Sequence, residues 1–231
     1  MKTLGILGGL GPESTVIYYR EIIDRYRSLT GNDTYPHILI NSVDMTRVIG
    51  LIADHAYEPL VQLLAGAIEH LATAGADVCA ISSNTPHVVF DRVAARVNVP
   101  MVSIVSATAE RARTSGLKRV LLIGTKFTMR NDFYARTFEK YGITCIVPDA
   151  AGQDTVHDII FPELESGIVR ADRKETMLRL CTALIERERL DGIILGCTEL
   201  PLMLTEDDFD VAVLDTARIH LEKLVAGIVD G

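Results

Sequence analysis

One pattern constrains the fold of this chain more than any other. Short apolar runs alternate along its whole length with longer stretches whose apolar residues recur at helical spacing. The runs at Thr3–Leu7, His37–Val43, Asp77–Ile81, Met101–Ile104, Arg119–Ile123, Thr144–Val147, Gly192–Leu195 and Val211–Leu214 read as buried strands. Between them, Pro12–Leu29 opens with Pro12, Glu13, Ser14 and Thr15, good first-turn chemistry for a helix. Pro59–Thr73 puts Leu60, Leu63, Leu64, Ala67, Ile68 and Leu71 on one face, and Met129–Tyr141 and Lys174–Arg189 read the same way. Alternation of this kind predicts an α/β fold of βαβ units around mostly parallel sheets, with ligands beyond the carboxyl ends of the strands.

The pattern repeats. LGILGG at Leu4–Gly9 and VLLIGT at Val120–Thr125 each end an apolar run in small residues. Ser83 lies 75 residues after Gly8 (83 − 8), and Cys197 lies 73 after Gly124 (197 − 124). ADVCAISSNT and LDGIILGCTE align with Ser83 over Cys197 and Asn84 over Thr198. Two similar lobes are expected, each presenting one reactive strand end. Asn98-Val99-Pro100 reads as the crossover and the last strand and helix as a return, which gives residues 1–98 plus 210–231 for the N-terminal lobe and 99–209 for the C-terminal lobe.

Composition excludes several functions. The net charge of -8 argues against nucleic acid as a partner, because phosphate binding needs a basic surface. No apolar run approaches the roughly 20 residues needed to span a membrane. MKTLGILGGLGPE has too short an apolar core for a secretory signal, so a cytoplasmic protein is expected. The cysteines Cys79, Cys145, Cys181 and Cys197 form no CxxC pair and suit neither zinc nor a disulfide framework. Three sit in apolar contexts, and Cys197 stands apart at a strand end beside polar residues.

Several motifs can carry chemistry. In GILGGLGP, the residues Gly9, Leu10 and Gly11 form a tight loop whose amides can approach a small carboxylate; the bland alternative is a plain strand–helix turn. It matches neither GxGxxG nor the phosphate loop. In SSNTPH, the residues Ser83, Asn84 and Thr85 offer hydroxyls, an amide and backbone donors for a carboxylate or an enolate-like oxyanion. They can equally cap the helix that Pro86 begins. His87 in that first turn reads as a supporting residue rather than a base. In GCTELP, Cys197 between Gly196 and Thr198 near a helix N-terminus is a candidate low-pKa thiol, against the alternative of a small buried residue. Glu199 is placed to cap that helix or orient a neighbour, while Leu202, Met203 and Leu204 read as packing. Arg47 is a candidate carboxylate ligand or a solvated cation. Thr125 and Thr128 occupy the position that matches the first glycine loop. DRKE at Asp172–Glu175 and ERER at Glu186–Arg189 read as solvated helix surface.

GGLGP at Gly8–Pro12, SNTPH at Ser83–His87, GCTELP at Gly196–Pro201 and DTARIH at Asp215–His220, in this order and spacing, resemble the aspartate/glutamate racemase family, in its aspartate racemase branch. The resemblance spans the whole chain. It implies two α/β lobes with the active site between them, a homodimer, and no cofactor or metal. It implies exchange of the α-proton of a small amino acid or dicarboxylate by two cysteines on opposite faces of the substrate. The second of these matches Cys197; the first matches Ser83. By the same resemblance Asn84, Thr85, Thr125 and Thr198 hold the α-carboxylate or α-amino group, and Arg47 the distal carboxylate.

Serine for cysteine changes the chemistry. A free thiol has a pKa of about 8.5, whereas a hydroxyl is a far weaker acid. Each unit is worth about 1.4 kcal/mol, or tenfold in the competent form. An asymmetric amino-acid racemase is therefore expected, acting on aspartate, glutamate or a related amino acid. A single-thiol isomerase or decarboxylase of a small dicarboxylate, and a non-catalytic amino-acid-binding protein, are the alternatives.

Overall fold

The computed structural model describes residues 2–31 and 33–229. In chain order the strands are β1 (Leu4–Gly8), β2 (Ile38–Ser42), β3 (Val78–Ile81), β4 (Met101–Val102), β5 (Arg119–Ile123), β6 (Thr144–Ile146), β7 (Gly192–Leu195) and β8 (Ala212–Asp215). The α-helices are α1 (Pro12–Thr30), α2 (Met45–Ala53), α3 (Tyr57–Thr73), α4 (Phe90–Ala94), α5 (Ile104–Thr114), α6 (Lys126–Arg130), α7 (Phe133–Glu139), α8 (Ala150–Ile160), α9 (Ala171–Glu188) and α10 (Thr216–Val229). Two four-stranded parallel sheets result, ordered β2-β1-β3-β4 and β6-β5-β7-β8, so the topology of the first is repeated in the second. Each expected apolar run overlaps one of these strands, with β1 and β8 each running one residue further, to Gly8 and Asp215.

The chain forms two compact units. Residues Met1–Ile104 and His220–Gly231 make the first, and Val105–Ile219 the second. This corrects the expected lobe boundaries at both crossings. Met101 and Val102 pair with Cys79 and Ala80, so the chain leaves the first unit after β4 rather than before it. The last strand does not return to the first sheet: β8 pairs with β7, Asp215 opposite Leu195. Only α10, from His220 onward, goes back.

In the first unit every residue of β1 is buried, as is all of β3 from Cys79 on, because helices cover both faces of the inner strands. The edge strand β2 is only partly covered. Tyr18 and Ile22 of α1 and Leu60, Leu64 and Ile68 of α3 are all fully buried. Burying a side chain of that size is worth about 1.5–3 kcal/mol. The β1–α1 turn needs its glycines. Gly9 has φ +80, and a Cβ there would meet the Val43 carbonyl oxygen at 2.4 Å. Gly11, at φ 99, ends the turn, and Pro12 then starts α1 with its ring preset for helix. The Asp44 side chain caps α2 by accepting from the amides of Thr46 and Arg47.

In the second unit Leu121 and Ile123 of β5 and Ile193 and Leu195 of β7 pack with Val156 and Ile159 of α8 and Met177, Cys181 and Leu184 of α9. The expected helix Met129–Tyr141 is broken at Asn131, whose ψ of 154 is extended, so α6 ends at Arg130 and α7 starts at Phe133. Leu202, expected to pack, is 53% exposed, whereas Met203 and Leu204 are buried. Among the described residues no helix is long and apolar enough to cross a membrane.

Candidate active site

In each sheet the strand order reverses beside the strand that comes first in sequence, so β1 and β3, and β5 and β7, flank the point where a parallel sheet opens at its carboxyl edge. Apart from Arg47, which follows β2, the expected site residues follow these four strands. Leu7 pairs with Ile81, and Ile123 with Leu195. Ser83 comes two residues after Ile81 (83 − 81) and Cys197 two after Leu195 (197 − 195), so the two occupy equivalent positions in their sheets.

In the first unit the β3 end is tied down on every side. The Ser82 hydroxyl donates to the Leu7 carbonyl at 3.2 Å, and the Ser14 hydroxyl donates to the Ser82 carbonyl at 2.7 Å. The next carbonyl, of Ser83, lies 2.9 Å from Nδ1 of His87, and the amide of Ile104 lies 3.3 Å from Nε2. A carbonyl only accepts and an amide only donates. His87 is therefore the neutral Nδ1–H tautomer. Its pKa is held down to about 3, chiefly by burial and next by the charge His220 would carry. The ring stacks on Phe90, with centroids 4.8 Å apart. Ser83 and Thr85 are half-buried and Asn84 is buried. The expected helix cap is not formed: Thr85–Val89 is a single stretch of 3-10 helix, and the Asn84 side chain makes no cap bond.

The glycine loop is only partly available to a ligand. The Gly9 amide already donates to Thr15 Oγ1 at 2.9 Å. Gly11 is half-buried and Leu10 is buried. Arg47 is exposed in the first turn of α2 and lines a cleft of about 500 Å3 with Asn41, Asp44, Gln62, Leu63 and His70. Neither Gly9–Gly11 nor Ser83 lines that cleft.

In the second unit Gly124 and Gly196 let the β5 and β7 ends close together: a Cβ on Gly124 would lie 3.0 Å from the Gly196 carbonyl oxygen. Thr125 caps α6 by accepting from the Thr128 amide, and the two threonine hydroxyls lie 3.2 Å apart. The buried Thr216 hydroxyl holds the last β7 carbonyl, that of Leu195, at 2.8 Å. The Cys197 thiol donates to Glu199 Oε2 at 2.8 Å. Thr198 and Glu199 are half-buried.

The expected low-pKa thiol is corrected here. Cys197 is buried and its pKa is raised well above the ordinary value, first by desolvation and then by the negative charge of Glu199. No α-helix follows to oppose this, only a three-residue 3-10 turn at Leu200–Leu202. Glu199 bonds the thiol rather than capping a helix. Glu165, which the sequence did not single out, joins the group. Its carboxyl is pushed up to about 7 by burial and by Glu199, and its charge also opposes the thiolate. Leu164 beside it belongs to the same core cluster as Cys197 and Leu200.

Residues 7–224 match the Asp/Glu/hydantoin racemase family. The chain belongs to that family. The broad-specificity amino-acid racemase RacX of Bacillus subtilis (strain 168) is 26% identical over 232 residues, 96% of each chain. An aspartate racemase homologue from Pyrococcus horikoshii OT3 superimposes with a TM-score of 0.89 at 41% identity, over 99% of this chain and 100% of that one. A glutamate racemase from Actinobacillus pleuropneumoniae serotype 5b (strain L20) matches over a shorter span, 30% identical over 131 residues, 56% of this chain and 48% of that protein. The family is one of amino-acid racemases, as the four motifs implied.

Proposed function

We propose that this racemase-family member is a cofactor-independent amino-acid racemase in which Cys197 and Ser83 are the two acid–base groups. The observation that carries the proposal is the Cys197–Glu199 hydrogen bond, a thiol with a carboxylate acceptor already at its proton. A thiol whose pKa is raised needs such a partner. Glu199 takes the proton, and the sulfur then removes the Cα proton while the C–H electron pair moves into the substrate carboxylate as an enediolate. The Ser83 hydroxyl returns a proton to the other face, alone or through a water. Thr125, Thr198, Asn84 and Thr85 supply donors for the carboxylate and amino group, with the Leu10 and Gly11 amides as further donors. Arg47 suits a distal carboxylate. Because a hydroxyl is so much weaker an acid than a thiol, Cα exchange with solvent is unequal for the two enantiomers, while kcat/KM for their interconversion, whose equilibrium constant is one, stays the same in both directions.

The test is Cα exchange in D2O with each enantiomer of aspartate, glutamate and neutral amino acids. Deuterium uptake that is lost in Cys197→Ala is expected. Uptake that survives this substitution unchanged refutes the assignment. Having a single thiol at the paired positions also favours a one-base isomerase or decarboxylase. Turnover of maleate or a substituted malonate without amino-acid exchange would select that chemistry instead.

A further inference from the structure

Two histidines in the first unit are almost completely withdrawn from water. His87 is 4% exposed and His220 is 0% exposed. Both use both ring nitrogens. His220 donates from Nε2 to the Val102 carbonyl at 3.1 Å, so its Nδ1 accepts from the Tyr18 hydroxyl at 2.8 Å. His87 joins the Ser83 carbonyl to the Ile104 amide. The stretch from Val102 to Ile104 is thus held by two imidazoles, and one of them also holds the end of β3. Burying an imidazole is costly unless its polar atoms are satisfied. Here they are, and the bonds join backbone groups that β-sheet pairing does not reach, because β4 ends at Val102.

The consequence falls on Ser83. The Ser83–Asn84 peptide is planar, so fixing the Ser83 carbonyl fixes the whole unit and turns the Asn84 amide the opposite way. It also limits the Ser83 backbone to one orientation, and with it the direction of the Cα–Cβ bond that carries the hydroxyl.

We infer that His87 is a positioning residue for Ser83: as a neutral imidazole it locks the Ser83–Asn84 peptide against the Ile104 backbone and so aims the Ser83 hydroxyl. The inference rests on the acid–base role of Ser83 proposed above. His220, Phe90, Ser83, Asn84 and Ile104 surround the ring.

The experiment compares His87→Leu, which keeps the bulk, with His87→Gln, which keeps a donor and an acceptor. Cα exchange is measured for each enantiomer separately, and the enantiomer more affected by Ser83→Ala is the one Ser83 serves. In His87→Leu, exchange of that enantiomer is expected to fall about tenfold or more, the scale of a misaimed catalytic group, while the other changes little. His87→Gln recovers part of the loss. Equal losses for both enantiomers, or no loss in a folded His87→Leu protein, overturn the inference. If the native protein exchanges neither enantiomer, the racemase reading fails first. The positioning claim is then decided by the thiol introduced with Ser83→Cys. Its alkylation rate changes severalfold between His87 and His87→Leu backgrounds if the inference holds, and stays the same if it does not.

Discussion

At the scale of single residues the site is governed by where protons rest. Burial, Glu199 and Glu165 all disfavour the Cys197 thiolate, so the thiol is protonated through the neutral range. Any reaction that needs the thiolate therefore accelerates as pH rises. Glu165, with its pKa near 7, loses its proton within the same range and adds a further negative charge. Glu165→Gln removes that charge, and the rise in kcat/KM for Cα exchange should move to lower pH; an unmoved profile would show that the two groups do not communicate. Ser83→Cys should raise Cα exchange of both enantiomers, and most for the one Ser83 serves, as deuterium incorporation followed by NMR would read. The presence of the thiol and its glutamate was legible in GCTELP. The direction of the thiol shift was not. It is set first by burial that no local motif reports and then by Glu199, with a smaller contribution from Glu165, 32 residues earlier in the chain (197 − 165).

At the scale of elements the strands were the most legible part, because an inner parallel strand covered on both faces must be apolar throughout. Helix limits were harder. Met129, Phe133, Tyr134 and Phe138 are all buried, so the apolar periodicity runs straight across the Asn131 break between α6 and α7. The sequence reading passed over α2, although Asp44 before Thr46 and Arg47, with Val48 and Ile52 one turn apart, carried its signature. The sheet to which β8 belongs was unreadable for a different reason: an apolar strand does not declare its neighbour. The glycine turn after β1 gives a test at this scale. Gly9→Ala adds a methyl group against the Val43 carbonyl at a residue with φ +80. It is expected to cost about 2 kcal/mol or more, read as a lower urea midpoint at unchanged m-value.

At the scale of the whole molecule the two buried histidines link stability to pH. Their folded pKa values are held down to about 3 for His87 and about 4 for His220, against 6.5 ordinarily. The unfolded chain therefore binds more protons below pH 6.5. Their contribution is fully present above that pH and is lost as pH falls toward the folded values. Each histidine removes up to about 1.4 kcal/mol per pH unit in that window. Urea unfolding at pH 7 and pH 5 should show the loss, and His87→Gln should flatten it. The two units also differ in how sequence is assigned to them. The second is one uninterrupted run, Val105–Ile219, while the first needs both the opening residues and the segment from His220 onward. Tyr18 waits for His220, and the Lys2 amide for the Ile228 carbonyl. Emerging from a ribosome, the half whose synthesis starts first is the last to be completed, and until then the Tyr18 hydroxyl of α1 lacks the imidazole it bonds in the folded chain.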